Sequence, residues 1–374
     1  MAALFFYGTL CHGPLLDRVL GPERGAATVQ WACLPDHAVH WVTGQGFPMI
    51  RAEPGANAEG LLVSGLTAEG VARLNFYEGG FGYGLCEVEV QTRQGAEVAQ
   101  VYFPDRPPEA GAPWSLADWV ERWGELTLLA AEEVMENYGR LTPDEIGRRF
   151  PSIRARAASR LNARRSAPTT LRRHAGPGDV TVCDKRRPYN GFFAVEDYEL
   201  CHVRFDGSAS PVLHRAAFIS TDAVTVLPYD PARDRVMVVE QFRMGPFARD
   251  DAQCWSLEAI AGRIDPGETP RQTASREAQE EAGLAFGTLH AVHSYYPSPG
   301  AMSEYIYSFV GIADLPDAAE GLGGAPDEGE DIRAHVLGWD GLMALMDSGE
   351  IENAPLVLSV LWLARHRERL RAGA

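Results

Sequence analysis

Apolar residues in the first hundred positions come in short runs separated by glycine and proline, a pattern typical of β-strands joined by turns. These runs lie at positions 3–7, 39–42, 60–63, 86–91 and 98–103. Beyond position 114 the apolar positions recur at helical spacing and form one stripe from 116 to 134. Thr142 and Pro143 begin a further helix, which Pro151 is expected to break. The pattern predicts a β-rich domain followed by helices.

The strand pattern returns after an Ala/Ser/Pro/Thr linker at 166–178, which a basic tract crosses. Apolar runs predict strands at 192–205, 217–229, 235–242, 255–260, 291–296 and 305–312, and helices at 339–346 and 354–371. Strands flanked by helices predict an α/β/α sandwich. The arginines between 154 and 173 are interpreted as a solvated helix and linker, with an RNA contact or a dock for the acidic domains as alternatives. We therefore predict a β-rich domain at 1–110, a helical connector and linker at 111–175, and a sandwich at 176–374.

One predicted helix in the C-terminal part has unusually clear ends. Thr269 is suited to be its N-cap, Pro270 occupies the first helical position, and Gln272 can close a capping box. Gly283 fits the left-handed residue that commonly follows a helix. The segment 262–284 therefore predicts a loop and a short helix.

Acidic residues crowd this same helix. Glu277 and Glu281 are four residues apart and Glu280 is three from Glu277, so their carboxylates lie close together on one side. Like charges at this spacing repel one another. Together with Glu268 just before the helix, they predict a site for hard divalent cations, Mg²⁺ or Mn²⁺, which prefer oxygen ligands. Arg276, one turn before Glu280, can hold that carboxylate in place while the others bind metal.

Composition and charge narrow the classes of function. The 374 residues carry 34 Lys and Arg against 51 Asp and Glu, a net charge of −17 that would repel the backbone of a nucleic acid. Divalent ions can still mediate binding of an anionic nucleotide. Six cysteines without a Cys-x-x-Cys pair predict reduced thiols, mostly in the core. Because no apolar run approaches the ~20 residues of a membrane span, we expect a cytoplasmic protein with neither a membrane nor a nucleic-acid partner.

The acidic segment matches a long pattern at every fixed position. Across 262–284 the order is Gly, five residues, Glu, seven residues, Arg-Glu, two residues, Glu-Glu, one residue, Gly and an apolar residue. This segment resembles the Nudix box, which implies hydrolysis of a diphosphate linked to another group. Beyond the box, Ser298-Pro299-Gly300, Ser303-Glu304 and the acidic run 327–331 are similar to the bacterial ADP-ribose pyrophosphatases.

That resemblance implies roles for particular residues. The implied metal ligands are the backbone carbonyl of Ala261 and the carboxylates of Glu277, Glu280, Glu281 and Glu330, holding two or more Mg²⁺ or Mn²⁺ ions. The implied substrate contacts are Phe192, which would stack on adenine, and Arg215, Arg243, Glu258, Pro299, Gly300 and Glu304. Glu328 is implied to be the base that deprotonates water, on a loop that lets substrate enter before the site closes. The related hydrolases are dimers with exchanged strands, so a homodimer is expected by analogy.

The choice of substrate is left open. We favour Mg²⁺-dependent hydrolysis of ADP-ribose to AMP and ribose 5-phosphate. Another nucleoside diphosphate sugar, GDP-mannose for example, would use the same catalytic residues. A sensor that binds ADP-ribose without cleaving it is disfavoured because the box is intact. A further alternative is that the N-terminal domain carries the main activity.

Two short motifs in the N-terminal domain carry candidate chemistry. Tyr7-Gly8-Thr9-Leu10 ends a strand in a glycine turn, which directs N–H groups and a hydroxyl beyond the strand. Glu78 lies in an apolar, aromatic setting, where desolvation would raise its pKa and suit it to proton transfer. Together they resemble the gamma-glutamylcyclotransferase-like (AIG2-like) fold, a small mixed barrel in which such a turn binds substrate and such a glutamate is the acid/base. The alternative is an ordinary strand turn and a surface glutamate.

The predicted fold class is α/β (α+β), with an N-terminal mixed barrel, a helical connector and a C-terminal Nudix α/β/α sandwich. This order of domains resembles the TrgB-type tellurite-resistance proteins across almost the entire chain. Nothing in the residues explains tellurite.

Overall fold

The computed structural model describes residues 2–104, 106–164, 167–324 and 329–373. The chain divides into two compact units, Met1–Arg164 and Arg165–Ala374. Asp327 and the predicted base Glu328 lie outside the described residues, so the role of Glu328 stays a prediction.

Five strands of the N-terminal unit close into a barrel. They are β1 (Ala2–Phe6), β2 (Thr28–Val42), β3 (Pro48–Leu66), β4 (Tyr83–Thr92) and β5 (Gly95–Pro104). The order is β3-β1-β5-β4-β2, β2 pairs again with β3 to complete the ring, and β6 (Ala110–Pro113) extends it beside β2. The β1–β5 pair is parallel, and its ring neighbours are antiparallel. Phe5, Leu62 and Val101 fill the apolar interior. The predicted mixed barrel is confirmed.

Helices cover the outside of this barrel. They are α1 (Gly13–Leu20), α2 (Ala68–Glu78), α3 (Leu116–Trp119), α4 (Glu125–Glu136) and α5 (Pro143–Asn162). One apolar cluster joins Leu4 and Phe6 of β1 to Trp119, Ile146 and Ile153 of the helices. Because these side chains share a core, α3 to α5 are packed with the barrel.

Helix α5 continues through Pro151, so the predicted break at this proline is wrong. A proline removes one helical hydrogen bond and crowds the preceding turn. Contacts on both sides of it outweigh this local cost: Ile146 and Ile153 are fully buried, and Arg156 pairs with Glu133 of α4 at 2.5 Å inside the core.

The C-terminal unit begins with a small antiparallel sheet. Its strands are β7 (Val180–Asn190), β8 (Ala194–His202) and β9 (Leu213–Ile219), in that order. The single strand predicted at 217–229 is in fact two strands in different sheets, β9 and β10 (Ala223–Asp230). The polar residues Ser220, Thr221 and Asp222 interrupt the apolar run, and Ser220 donates its backbone N–H to Ser303 Oγ, which turns the chain from one sheet to the next.

An eight-stranded mixed sheet forms the centre of this unit. After β10 come β11 (Arg235–Phe242), β12 (Trp255–Glu258), β13 (Ile260–Arg263), β14 (Thr288–Tyr295), β15 (Ile306–Ile312), β16 (Gly321–Gly323) and β17 (Ile332–Gly338). The order is β14-β15-β10-β11-β17-β16, with β12 paired to β11 and β13 to β10. The β10–β15 pair is parallel, and β13, the strand in which the box begins, pairs with β10 on its other side.

Helices cover both faces of the central sheet. They are α6 (Met244–Ala248), α7 (Pro270–Ala282), α8 (Trp339–Ser348) and α9 (Ala354–Ala372). Ala274 and Ala278 of α7 pack on Val239 on one face, and Leu342 of α8 and Leu363 of α9 pack with Val238 on the other. The predicted α/β/α sandwich, with the box helix on one face, is confirmed.

The six cysteines are free thiols, as expected, but their predicted core location is wrong. Cys86 and Cys183 are exposed and the other four are intermediate. Both lie in stretches that are exposed on both faces of the strand, since their neighbours on β4 and β7 are exposed as well.

Candidate active site

The box helix α7 has the ends that its sequence predicts. Thr269 Oγ1 accepts from the backbone N–H of Gln272, and Gln272 Oε1 accepts from the backbone N–H of Thr269 at 2.9 Å. Gly283 takes a left-handed φ of 62° and its N–H bonds back to the last turn. These two ends fix where the acidic residues lie along the helix.

Glu277 is pressed directly against the backbone of β13. A Cβ atom added to Gly262 would lie 2.5 Å from Cγ of Glu277 and closer still to its carboxyl group. Burial raises the pKa of Glu277 to about 7, against the lowering effect of Arg276, and the charges of Glu280 and Glu330 add to the rise. The glycine of the box is therefore required because any side chain there would displace this carboxylate.

Glu281 is the most deeply buried carboxylate of the helix, at 2% exposure. Burial, then the charges of Glu277 and Glu330, raise its pKa to about 8, while a hydrogen bond from the backbone of Ala261 lowers it. Among the described residues its Oε2 atom has no hydrogen-bond partner. An unpaired oxygen in a buried cluster of like charge fits a divalent cation, which would supply the missing positive charge.

Arg276 holds three of the acidic side chains together. It bonds Glu268 through Nε at 3.1 Å and reaches Glu277 and Glu280 through Nη1, each at 2.9 Å. In the described part of the chain, no set of three or more His, Cys, Asp or Glu side chains is arranged to hold an ion as it stands. Part of the acidic charge is therefore neutralised by this arginine.

Arg243 and Glu258 form a rigid ion pair next to the box. Two parallel hydrogen bonds join them, Nε to Oε1 at 3.0 Å and Nη2 to Oε2 at 2.7 Å. Burial lowers the pKa of Arg243, but Glu258 and the charges of Glu281 and Glu330 raise it above its ordinary value. The guanidinium thus faces the box carboxylates while Glu258 fixes its orientation.

Two further predicted residues approach the same region. Burial raises the pKa of Glu304, the charge of Arg243 lowers it, and its Oε1 accepts from Ser220 Oγ at 3.4 Å. Phe192, at 59% exposure, lies in the turn between β7 and β8, with the guanidinium of Arg263 at 4.4 Å from its ring centroid. Since Arg263 ends the box strand β13, Phe192 lies beside the box.

Three predicted substrate residues are exposed and make their hydrogen bonds, or those of their loop, outside the box helix. Arg215 is exposed on β9 and donates to the backbone oxygen of His214 at 2.8 Å. Pro299 and Gly300 lie in an exposed loop that the N–H of Phe218 anchors at Ala301. Within the described ranges neither a hydrogen bond nor an ion pair joins Arg215, Pro299 or Gly300 to the box helix.

Sequence reasoning missed two residues that the fold brings here. Arg263 lies inside the box but at a position where the pattern allows any residue. Gln241 is buried on β11, and its Nε2 atom has no partner among the described residues. Alternation along β11 could have placed Gln241 on the same face as Met237 and Val239.

The N-terminal unit holds a second carboxyl group with a raised pKa, and this one is half-buried. Burial raises the pKa of Glu78, the last residue of α2, to about 7. Its charge adds to the raised pKa values of four tyrosines, namely Tyr7, Tyr77, Tyr83 and Tyr102. Tyr7 donates to the backbone oxygen of Tyr102 at 3.0 Å, and Tyr102 donates to Asn75 Oδ1 at 2.5 Å. The four tyrosine hydroxyl groups therefore lie within electrostatic reach of Glu78.

The predicted Tyr7–Leu10 turn follows β1 directly and lies against this group. Gly8 is required there because an added Cβ would lie 2.8 Å from Cγ of Pro48. Thr9 begins a single 3-10 turn, and Leu10 is buried in the core. Cys11 donates from Sγ to the backbone oxygen of Phe6 at 3.0 Å, and burial raises the pKa of its thiol to about 12.

Two family models match separate stretches of the chain. Residues 220–357 match the model described as NUDIX domain, and residues 4–121 match the model described as Gamma-glutamyl cyclotransferase, AIG2-like. Both resemblances predicted from the sequence are confirmed. No helix in the described part of the chain is long and apolar enough to cross a membrane.

Relatives named for two different substrates match this chain. The ADP-ribose pyrophosphatase of Escherichia coli K12 is 37% identical over 196 residues, which are 52% of this chain and 93% of the relative. That of Haemophilus influenzae is 34% identical over 200 residues, 53% of this chain and 92% of the relative. A GDP-mannose pyrophosphatase of an Enterobacter species is 27% identical over 149 residues, 40% of this chain and 76% of the relative. The chain belongs to the Nudix family. Within that family it is similar to the ADP-ribose pyrophosphatases.

Proposed function

We propose that the C-terminal unit hydrolyses the diphosphate of ADP-ribose, releasing AMP and ribose 5-phosphate. The observation that carries this proposal is the pair of carboxylates on Glu277 and Glu281 beside the cation of Arg243. Both have raised pKa values, and the buried Glu281 lacks a partner for one oxygen. ADP-ribose is preferred over GDP-mannose because the relatives named for ADP-ribose are 34–37% identical to this chain, whereas those named for GDP-mannose are 26–27% identical.

We infer the cation ligands from the same geometry. They are Glu277, Glu280, Glu281, Glu330 and the backbone carbonyl of Ala261. Two or more Mg²⁺ or Mn²⁺ ions held there would neutralise the diphosphate and lower the pKa of a bound water. Arg276 would remain with Glu268 and hold the box helix and its loop together, since that pair is joined by two side-chain hydrogen bonds.

The other predicted residues bind and orient substrate in this proposal. Arg243, fixed by Glu258, binds the diphosphate, and Glu304, which lies within electrostatic reach of Arg243, contacts the adjoining sugar. Phe192 stacks on adenine, and Arg215, Pro299 and Gly300 hold the remaining groups. Glu328 accepts the proton of the attacking water as the new P–O bond forms and the bridging P–O bond breaks.

We also propose that the protein forms a homodimer. Val180 and Val182 on β7 are exposed, as are Phe193 and Val212 next to the ends of β8 and β9, at 38–56% exposure. Apolar residues grouped on one small sheet favour burial against another copy. Light scattering is expected to give twice the 40.8 kDa of one chain. A single-chain mass would contradict the dimer.

A cytoplasmic location and a link to tellurite stay predictions.

The assay that tests the function uses the full chain. ADP-ribose and GDP-mannose are incubated with Mg²⁺ or with a chelator, and nucleotide products are separated by chromatography. We expect AMP from ADP-ribose in the presence of Mg²⁺. GMP from GDP-mannose at a higher kcat/KM would contradict the choice of substrate, and product formation in the chelator would contradict the cation site.

Glu281→Gln tests the box itself. Removing the most buried carboxylate is expected to lower kcat at least ~100-fold, the scale for losing a cation or its positioned water. Glu350→Gln is the matched control, because Glu350 is exposed in the loop between α8 and α9. Turnover of Glu281→Gln equal to that of the control would rule out this site.

We propose proton transfer as a second function, carried by the N-terminal unit. The observation that favours it is Glu78, whose pKa of about 7 allows it to give and take a proton near neutrality. The substrate expected from the AIG2-like match is a gamma-glutamyl amine. Release of 5-oxoproline from such amines by the wild type, but not by Glu78→Gln, tests this function.

A further inference from the structure

Gln241 is a buried polar residue without an assigned role. It is 7% exposed near the end of β11, and its Nε2 atom is buried with no hydrogen-bond partner in the ranges that the structure describes. A buried N–H group without a partner has lost its bonds to water and gained none in return. Such a donor indicates a partner that arrives with a ligand.

The side chain of Gln241 faces the box helix. Side chains alternate between the two faces of a strand. Met237 and Val239 belong to the core beneath α7, so Gln241, two residues further along the same regular strand, continues that face. Its partner on β17 is Ile332, which is buried in the same core.

The ion pair of Arg243 and Glu258 passes over this position. Glu258 lies opposite Val239, and the N–H of Arg243 bonds to the backbone oxygen of Cys254 further along the two strands. The side chain of Arg243 must therefore run back past Gln241 to reach Glu258. The unpaired amide thus lies beside the guanidinium.

The acidic residues lie on the other side of the amide. Glu330 precedes Ile332, the β17 partner of Gln241, by two residues. Its charge is felt by Glu277, Glu281 and Arg243, so all of these groups lie within electrostatic reach of one another. Gln241 therefore lies between the cation that would bind the diphosphate and the carboxylates that would hold metal.

We propose that Gln241 donates a hydrogen bond from Nε2 to an oxygen of the bound diphosphate. An amide N–H is a donor, so it complements an anionic oxygen and repels a cation. This proposal rests on the function proposed above and adds a substrate-binding residue to the same site. It also explains why an unsatisfied donor is buried there: the donor is completed only when substrate binds.

Gln241→Met tests this role because methionine keeps the length of the side chain and removes the donor. The probe is the α,β-methylene analogue of ADP-ribose, which cannot be hydrolysed, with Mg²⁺. Calorimetry is expected to show Kd about tenfold higher for the variant, which corresponds to about 1.4 kcal/mol. The free variant should melt about 2–4 °C higher, since the unpaired buried donor is gone. Weaker binding with higher stability is a combination that a purely structural glutamine would not give.

Gln253→Met is the matched control, because Gln253 is exposed before β12; neither its affinity nor its melting temperature should change. The melting transition that rises when the analogue is added reports the C-terminal unit. Unchanged affinity in Gln241→Met overturns the role, and so does weaker binding together with a lower melting temperature. A wild type that neither binds the analogue nor cleaves ADP-ribose refutes the proposed function instead.

Discussion

Replacing Gly262 with alanine tests whether the close approach of β13 to α7 sets the geometry of the active site. The added Cβ would lie 2.5 Å from Cγ of Glu277, whereas ordinary van der Waals contact begins at 3.4 Å. The difference requires the Glu277 side chain to move by at least about 0.9 Å. A displacement of about 1 Å in a positioned group can cost about 100-fold in rate, which is about 2.7 kcal/mol of transition-state stabilisation.

The assay is AMP release from ADP-ribose at saturating Mg²⁺. We expect kcat of Gly262→Ala to fall about 100-fold. Gly287→Ala is the matched control, because the nearest atom to its added Cβ is the backbone oxygen of Ile312 at 3.8 Å, an ordinary contact. Circular dichroism and calorimetry establish that both variants fold. A folded Gly262→Ala protein with kcat within about threefold of the wild type would refute the reasoning.

Two further predictions concern the N-terminal unit. Glu78→Gln should leave ADP-ribose hydrolysis intact. Burial raises the pKa of Glu78 from 4.5 to about 7, so the folded wild type holds this proton more tightly than the unfolded chain does. The free energy of unfolding of the wild type should therefore fall by at most about 3 kcal/mol as pH rises through that interval. Denaturant titrations on either side of the interval measure this fall, which the variant should lack. Arg156→Met should destabilise the unit by about 3–5 kcal/mol because Glu133 stays buried without its guanidinium, whereas Arg160→Met, at a half-exposed pair, should cost less than about 1 kcal/mol. Equal losses in the two arginine variants would contradict the importance of burial.

The box helix shows what local sequence determines. Thr269, Gln272 and Gly283 form the predicted capping contacts because each bond joins residues within a few positions of one another. The pair of Arg276 and Glu280 follows from one turn of helix in the same way. The spacing of the box therefore predicts both the helix and the grouping of its charges.

Contacts between strands cannot be predicted from the spacing of residues along the chain. Arg243 reaches Glu258 because β11 pairs with β12, and Glu304 approaches them because β10 pairs with β15. Gln241 was missed for the same reason: a lone amide in a strand looks like a solvent-facing residue until the sheet order shows that the strand is covered. At Pro151 the prediction from local sequence was wrong: proline tends to break a helix, but burial of residues along α5 outweighs this tendency.

Glu281 and Glu78 both have raised pKa values, of about 8 and about 7, but Glu281 is buried, Glu78 is half-buried, and their neighbours differ. Beside Glu281 the carboxylates of Glu277 and Glu330 contribute to the shift, so binding one proton still leaves negative charge in the cluster, which a divalent cation can neutralise. Around Glu78 burial is the cause and the neighbours are tyrosine hydroxyls, so one proton is enough to neutralise the group. A carboxyl group of that kind can pass its proton on near neutral pH. Raised pKa values would therefore suit the C-terminal unit to cation-assisted hydrolysis and the N-terminal unit to proton transfer, because the number of carboxylates that share each site is different.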